Sequence, residues 1–365
     1  MWSARLARRL AFIAMLAAGA GAAACASGCG DRATDGDPSD LHGVFDQSAR
    51  AAASASAAAS GSASAARPVA SASASSAPGP AEARDPADAS GCVSEAGAPD
   101  ASISRTVGRP ACRAAEVLEW RDPSGAPRYA CLYAARGGAD RGPLPLVVYF
   151  HGTGPGLDDP AGLAKLTKLR ERQESQPLDP DKPGFNIVAV QGRAVLGGKL
   201  GTTFDTAHVS RDNLDVAAAD HFVDVVSERG LVDDKRIYAM GMGRGGTMAI
   251  SYAMLRADRV AAFGVYAPLV PTAKWSCDGP PPPGFVAYRA CDAVASCEDL
   301  ESWLLARDDA RAETGRLRLG EADTDEPSCS VKNRCSKKKG DAHHLRWPKG
   351  REKDLLSFLA QHRMK

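Results

Sequence analysis

One short stretch constrains this chain more than any other. Ile237-Tyr238-Ala239-Met240 is an apolar run suited to a buried strand, the glycines at 241, 243, 245 and 246 force a sharp turn, and Thr247 to Met254 supplies the apolar start of a helix. The rest of the chain must give that strand neighbours and that helix something to cover.

The neighbours can be read in order. Val117 to Trp120 and Arg128 to Ala134 are antiparallel strands around the turn Asp122-Pro123-Ser124-Gly125. Leu144 to Phe150 is the first strongly apolar strand, and His151-Gly152-Thr153-Gly154-Pro155-Gly156 ends it. Pro160 to Arg172 suggests a helix and Phe185 to Val190 a strand. Asn213 to Val226 is an amphipathic helix with Leu214, Ala218, Phe222 and Val225 on one face. After the central stretch come strands over Val260 to Tyr266 and Gly284 to Tyr288, a helix over Glu298 to Ala306, a strand over Arg316 to Leu319 and a terminal helix over Lys353 to His362. Strands separated by helices predict an α/β domain, a mostly parallel central sheet covered by helices on both faces, with ligands at the carboxyl ends of the strands.

The chain begins differently. Arg5, Arg8 and Arg9 precede an apolar run from Leu10 to Ala24 that ends in small residues, the pattern of a secretory signal peptide. Ala26-Ser27-Gly28-Cys29 is similar to a bacterial lipobox without its usual leucine, and Ala-Ala-Ala-Cys25 is a second match. The readings are a lipoprotein acylated at Cys29 or Cys25, a secreted protein, or an uncleaved anchor. Residues 1–29 are thus assigned to the signal and 30–105, rich in Ala and Ser, to a disordered tether. Residues 106–365 form the folded domain, about 260 residues and enough for one large core. Lipidation at Cys29 leaves Cys92, Cys112, Cys131, Cys277, Cys291, Cys297, Cys329 and Cys335. An even number in an oxidising compartment favours disulfides over metal binding. Cys112 and Cys131 suit a staple of the opening hairpin, and Cys291 and Cys297 a clip around Asp292. The formal charge of the 365 residues is +1, and the lysines at 337–339 have no aromatic residues among them, so nothing points to nucleic acid.

Gly241-Met242-Gly243-Arg244-Gly245 has the form of a nucleophile elbow, G-x-S-x-G, which exposes a serine hydroxyl at the strand tip; here the central residue is Gly243. Together with the strand into His151-Gly152, Asn213-x-Asp215, and Val232-Asp233-x-Lys235-Arg236-Ile237-Tyr238, this series resembles the secreted α/β-hydrolase esterases of the polyhydroxyalkanoate depolymerase and feruloyl or acetylxylan esterase type, over roughly Val117 to Phe358. The resemblance implies an α/β-hydrolase fold. It also implies a triad acid at Asp292, a triad histidine at His344 or His343 ahead of Trp347-Pro348, and an oxyanion hole from the His151-Gly152 turn and the Arg244 amide. Family members usually read Gly-Met-Ser-x-Gly-Gly, and their histidine is often separated from Trp-Pro by one residue, where two residues separate His344 from Trp347-Pro348 and three separate His343.

Ester hydrolysis needs a hydroxyl, an imidazole within reach, a carboxylate to hold the imidazole's tautomer and donors for the oxyanion. Glycine supplies no hydroxyl. Thr247 and Ser251 fall inside the helix and point away from the turn. The expectation is therefore an esterase-like domain that binds an ester-bearing polymer, polysaccharide or protein ligand without turnover. The competing expectation is an active ester hydrolase that uses a displaced nucleophile or an activated water. No cofactor or metal is implied. A zinc site from Cys329-x5-Cys335 and the two histidines lacks the usual close ligand pairs, and the glycines lack the spaced acid of a dinucleotide fingerprint. On plainer readings His151 is a packed loop residue, Asp292 a turn carboxylate, and His343 and His344 exposed loop.

Overall fold

The computed structural model describes residues 91–95, 97–154, 168–292, 294–329, 344 and 346–365, all within the compact unit Val69–Lys365. Cys25, Cys29, Cys335 and His343 lie outside the described residues, as do the signal segment and most of the expected tether.

Eight strands form the central sheet. In chain order they are β2 (Glu116–Arg121), β3 (Pro127–Tyr133), β4 (Leu144–Phe150), β5 (Asn186–Val190), β8 (Val232–Met242), β9 (Val260–Tyr266), β11 (Gly284–Arg289) and β12 (Thr314–Leu319). Two small pairs complete the set: β1 (Val93–Ser94) with β10 (Trp275–Ser276), and β6 (Arg193–Ala194) with β7 (Thr202–Thr203). The sheet order is β12-β11-β9-β8-β4-β5-β3-β2, and only β3 runs against the rest. This is the α/β-hydrolase fold the sequence implies.

Alternation along each strand divides the core in two. Leu146, Val148 and Phe150 of β4, with Ile237 and Ala239 of β8, join one buried cluster; Val147 and Tyr149, with Tyr238, Met240 and Met242, join the other. The first cluster is closed by α1 (Leu214–Glu228), α2 (Arg244–Leu255) and α3 (Cys297–Asp309), the second by α4 (Glu352–Leu359) and Leu169. Both faces are covered, so β4 and β9 are buried at every position and read as unbroken apolar runs.

Local chemistry sets the element ends. Asn213 caps α1, its Oδ1 accepting from the amides of Asp215 at 2.7 Å and Val216 at 3.4 Å. The opening hairpin turns on Asp122, whose carboxylate accepts from the Ser124 and Ala126 amides and from Arg128 inside the protein. The helix after the elbow starts at Arg244, three residues before the expected Thr247. Its first turn contains Gly245 and Gly246, which propensity alone would exclude. They are needed for close approach: a Cβ on Gly245 would run into the carbonyl oxygens of Phe150 and His151.

Cys112–Cys131 pairs as the sequence suggested, with Cα atoms 5.3 Å apart. The clip between Cys291 and Cys297 does not form. Cys297 instead pairs with Cys329, and Cys291 is disulfide-bonded as well. That pairing also removes the zinc reading, because the Cys329 sulfur is already bonded to carbon and sulfur. Cys92–Cys277 corrects the domain boundary. Residues 91–105, placed with the tether on composition, contain β1 and carry Asp100 onto Arg244 at 3.1 Å. Disulfides of this kind persist in oxidising compartments, which supports an extracytoplasmic location. No helix among the described residues is long and apolar enough to cross a membrane.

Candidate functional site

Strands β4, β8 and β11 end at the same edge of the sheet and deliver His151-Gly152, Gly243 and Asp292 there. Gly243 stands between β8 and α2 with φ +52° and ψ −132°, a conformation open to glycine and strained for any other residue. Its amide donates to the Tyr266 carbonyl at 3.0 Å and its carbonyl accepts from Thr247 at 3.1 Å, so the turn is held on both sides.

The acid and the histidine meet beside it. Asp292 Oδ2 lies 2.8 Å from His344 Nδ1, with the carboxylate side chain fully buried and the imidazole one-tenth exposed. Asp292 Oδ1 accepts from the amides of Val294 at 2.8 Å and Ala295 at 2.9 Å, which fixes the carboxylate's direction. With the carboxylate accepting, the neutral form of the ring carries its proton on Nδ1 and has its lone pair on Nε2. A Cβ on Gly243 would lie 3.2 Å from His344 Nε2, 3.8 Å from its Cε1 and 3.9 Å from the Gly152 Cα. The imidazole therefore faces the place where a triad serine would project.

His151 has a different job. Its Nε2 accepts from the Gly192 amide at 2.9 Å, so Nδ1 is the protonated nitrogen and donates to the Gly152 carbonyl at 2.7 Å. The ring braces its own loop against the end of β5, and a Cβ on Gly192 would lie 2.6 Å from the Thr203 oxygen. Gly152 approaches Gly243 with its backbone. The Arg244 amide belongs to the first turn of α2, where N–H groups have no intrahelical acceptor and the helix dipole favours negative charge. Its side chain turns aside, to Asp100 and to Thr206 Oγ1 at 3.3 Å. Burial pushes the Asp100 carboxyl up, but the Ser102 hydroxyl and amide and the Arg244 guanidinium outweigh it and hold that carboxyl below the usual range. Thr247 Oγ1 donates to the Leu269 carbonyl at 2.7 Å and to the Gly243 carbonyl at 3.5 Å, and Ser251 is buried within α2.

Two supports escaped the sequence reading. Arg289, fully buried at the end of β11, donates to the Tyr266 hydroxyl at 2.7 Å and the Gly320 carbonyl at 2.9 Å and pairs with Asp323. It ties the acid loop to the strand whose carbonyl holds Gly243. A lone arginine closing an apolar strand, Gly-Phe-Val-Ala-Tyr-Arg289, is the signal that marks it. Arg193 binds Asp215 at 2.8 Å and Asp205 at 3.5 Å, so Asn213-x-Asp215 anchors the loop between β6 and α1. Thr203 and Thr153 join that loop to the one at Gly152 through their hydroxyls, 2.8 Å apart.

Compared as a sequence, the chain matches no protein-family model and no curated protein. Compared as a structure, it is similar to a thermostable esterase at 14% identity and a TM-score of 0.48, over 69% of this chain and 64% of that one. It is also similar to a thermophilic esterase from the planctomycete Thermogutta terrifontis at 14% identity and a TM-score of 0.43, over 60% of this chain and 86% of that one. The same esterase phosphoramylated by tabun aligns at 14% identity and a TM-score of 0.44, over 65% and 92%. The chain spans just under two thirds of the length of the first of these. The fold assignment rests on the strand order and strand directions of the sheet itself.

Proposed function

We propose that this chain is an extracytoplasmic, esterase-like α/β-hydrolase whose cleft binds an ester-bearing ligand without covalent turnover. The carrying observation is the 3.2 Å between His344 Nε2 and the Cβ position of Gly243. A buried carboxylate, an oriented imidazole and a helix N-terminus surround a residue that has no hydroxyl, so the acyl-enzyme route is closed. The resemblance to depolymerases and to feruloyl or acetylxylan esterases supports a ligand that is an ester on a polymer or polysaccharide; a protein ligand is the other partner class. The basic and apolar N-terminal segment and Cys29 or Cys25 support attachment to a membrane through lipid.

The test is a panel of small acetyl and feruloyl esters given to the wild type and to Gly243→Ser. Hydrolysis that appears only in the serine variant, with the wild type binding the same esters, is the expected outcome. Hydrolysis by the wild type at a comparable rate overturns the proposal. The second reading, hydrolysis by an activated water, draws on the free Nε2 lone pair; it predicts slow wild-type turnover that His344→Ala abolishes.

A further inference from the structure

We propose that the site transfers an acyl group directly from an ester to a small primary alcohol, the alcohol taking the place of the side chain that Gly243 lacks. The inference rests on the reading of the site given above, in which the protein does not turn the ester over with its own groups. It goes further by naming the co-substrate that restores chemistry.

A triad serine contributes a primary alcohol whose oxygen sits beside the imidazole. Glycine removes that alcohol and leaves its surroundings. Apart from the residues flanking Gly243, the nearest described atoms to its Cβ position are the two His344 ring atoms at 3.2 and 3.8 Å and the Gly152 Cα at 3.9 Å. The Cβ position thus has a basic nitrogen on one side and the Gly152 backbone on another. A hydroxyl has an acceptor there, and the one or two carbons of methanol or ethanol have apolar Cα–H groups to touch. Neither of the hydroxyls nearest in sequence stands in for the missing one, because Thr247 is committed to Leu269 and Ser251 is buried in α2.

The step balances without any further reagent. The alcohol oxygen bonds to the acyl carbon while its proton passes to His344 Nε2. Asp292, at Nδ1, holds the tautomer that leaves Nε2 able to accept it. The tetrahedral intermediate places its oxyanion toward the first-turn amides of α2 and then collapses. The original ester C–O bond breaks, and its oxygen leaves with the proton returned from Nε2. One ester and one alcohol become another ester and another alcohol. Because the acceptor is not tethered to the chain, the product ester diffuses away and no acyl-enzyme remains. The same lack of a tether forfeits the large effective molarity of a built-in nucleophile, so the reaction depends on acceptor concentration.

The experiment follows p-nitrophenyl acetate with the wild-type protein while methanol is raised, and measures both p-nitrophenol and methyl acetate. The expected result is p-nitrophenol release that rises linearly with methanol, with methyl acetate matching the increment. The increment falls on the order of 100-fold in His344→Ala and is absent when tert-butanol replaces methanol. Release that ignores methanol, or a methanol increment unchanged in His344→Ala, overturns the proposal. Gly243→Ser separates the two layers. Hydrolysis by that variant with no methanol-dependent product from the wild type defeats acyl transfer alone. Absence of both, with the variant retaining wild-type near-ultraviolet circular dichroism, defeats the reading of the site as well.

Discussion

At Gly243 a side chain would meet two obstacles, backbone strain at φ +52° and the His344 ring at 3.2 Å from a Cβ. The ring must give by a few tenths of an ångström for any substitution. Gly243→Ser and Gly243→Ala are therefore both expected to lose about 1–3 kcal/mol of stability, the cost of holding a non-glycine residue in such a conformation. Urea unfolding checks this. Equal losses in the two variants would show that any activity in the serine variant comes from its hydroxyl, since alanine carries the same strain without it. A loss confined to serine would place the cost in the hydroxyl's own contacts. The residue gains in backbone freedom what the site loses in chemistry, and the two effects are separable only with both variants in hand.

Among the elements, the opening hairpin depends on one ion pair that is wholly inside the protein. Arg128 and Asp122 meet at 2.6 Å with side chains 2% and 0% exposed. Burial pushes the Asp122 carboxyl up; the Ser124 hydroxyl, the Arg128 guanidinium and the Ala126 amide outweigh it and bring the carboxyl below its ordinary value. A depressed carboxyl stabilises the fold above its unfolded pKa and stops doing so as pH falls through the folded one. Asp122→Asn leaves Arg128 buried without a countercharge, so it should cost about 3–5 kcal/mol at neutral pH. The gap from the wild type should close as pH falls below about 4. Thermal unfolding of both proteins between neutral pH and pH 3 checks it, and a gap independent of pH would refute the assignment. Element positions were largely legible in the sequence. Leu144–Phe150 and Val260–Tyr266 match residue for residue because a strand buried on both faces is apolar throughout and sharply bounded. The start of α2 was not legible, since its glycines serve packing against His151 and look like helix breakers on paper. The resemblance puts the acid at Asp292 and the histidine at His344 or His343, and Asp292 meets His344, whereas the partners of Arg289 and of Cys297 depend on contacts between residues 23 to 34 apart that no local pattern encodes.

For the whole molecule, the Cys92–Cys277 bond joins positions 185 residues apart. Tension applied between the residues before Cys92 and the chain's carboxyl end enters a covalent crosslink at the first strand of the domain. The stretch from Val93 to Ser276, which contains β1, the Asp100 contact to Arg244, the elbow and most of the sheet, lies in a loop that the load bypasses. A pull between the chain's two ends should therefore extend the wild type by about 600 Å less than a Cys92→Ser, Cys277→Ser double variant, at roughly 3.3 Å for each shielded residue. Single-molecule force measurements on the two forms read that difference directly. An amino-terminal tug can strip the residues after Cys277 from the sheet, while the turn that carries Gly243 feels no direct tension.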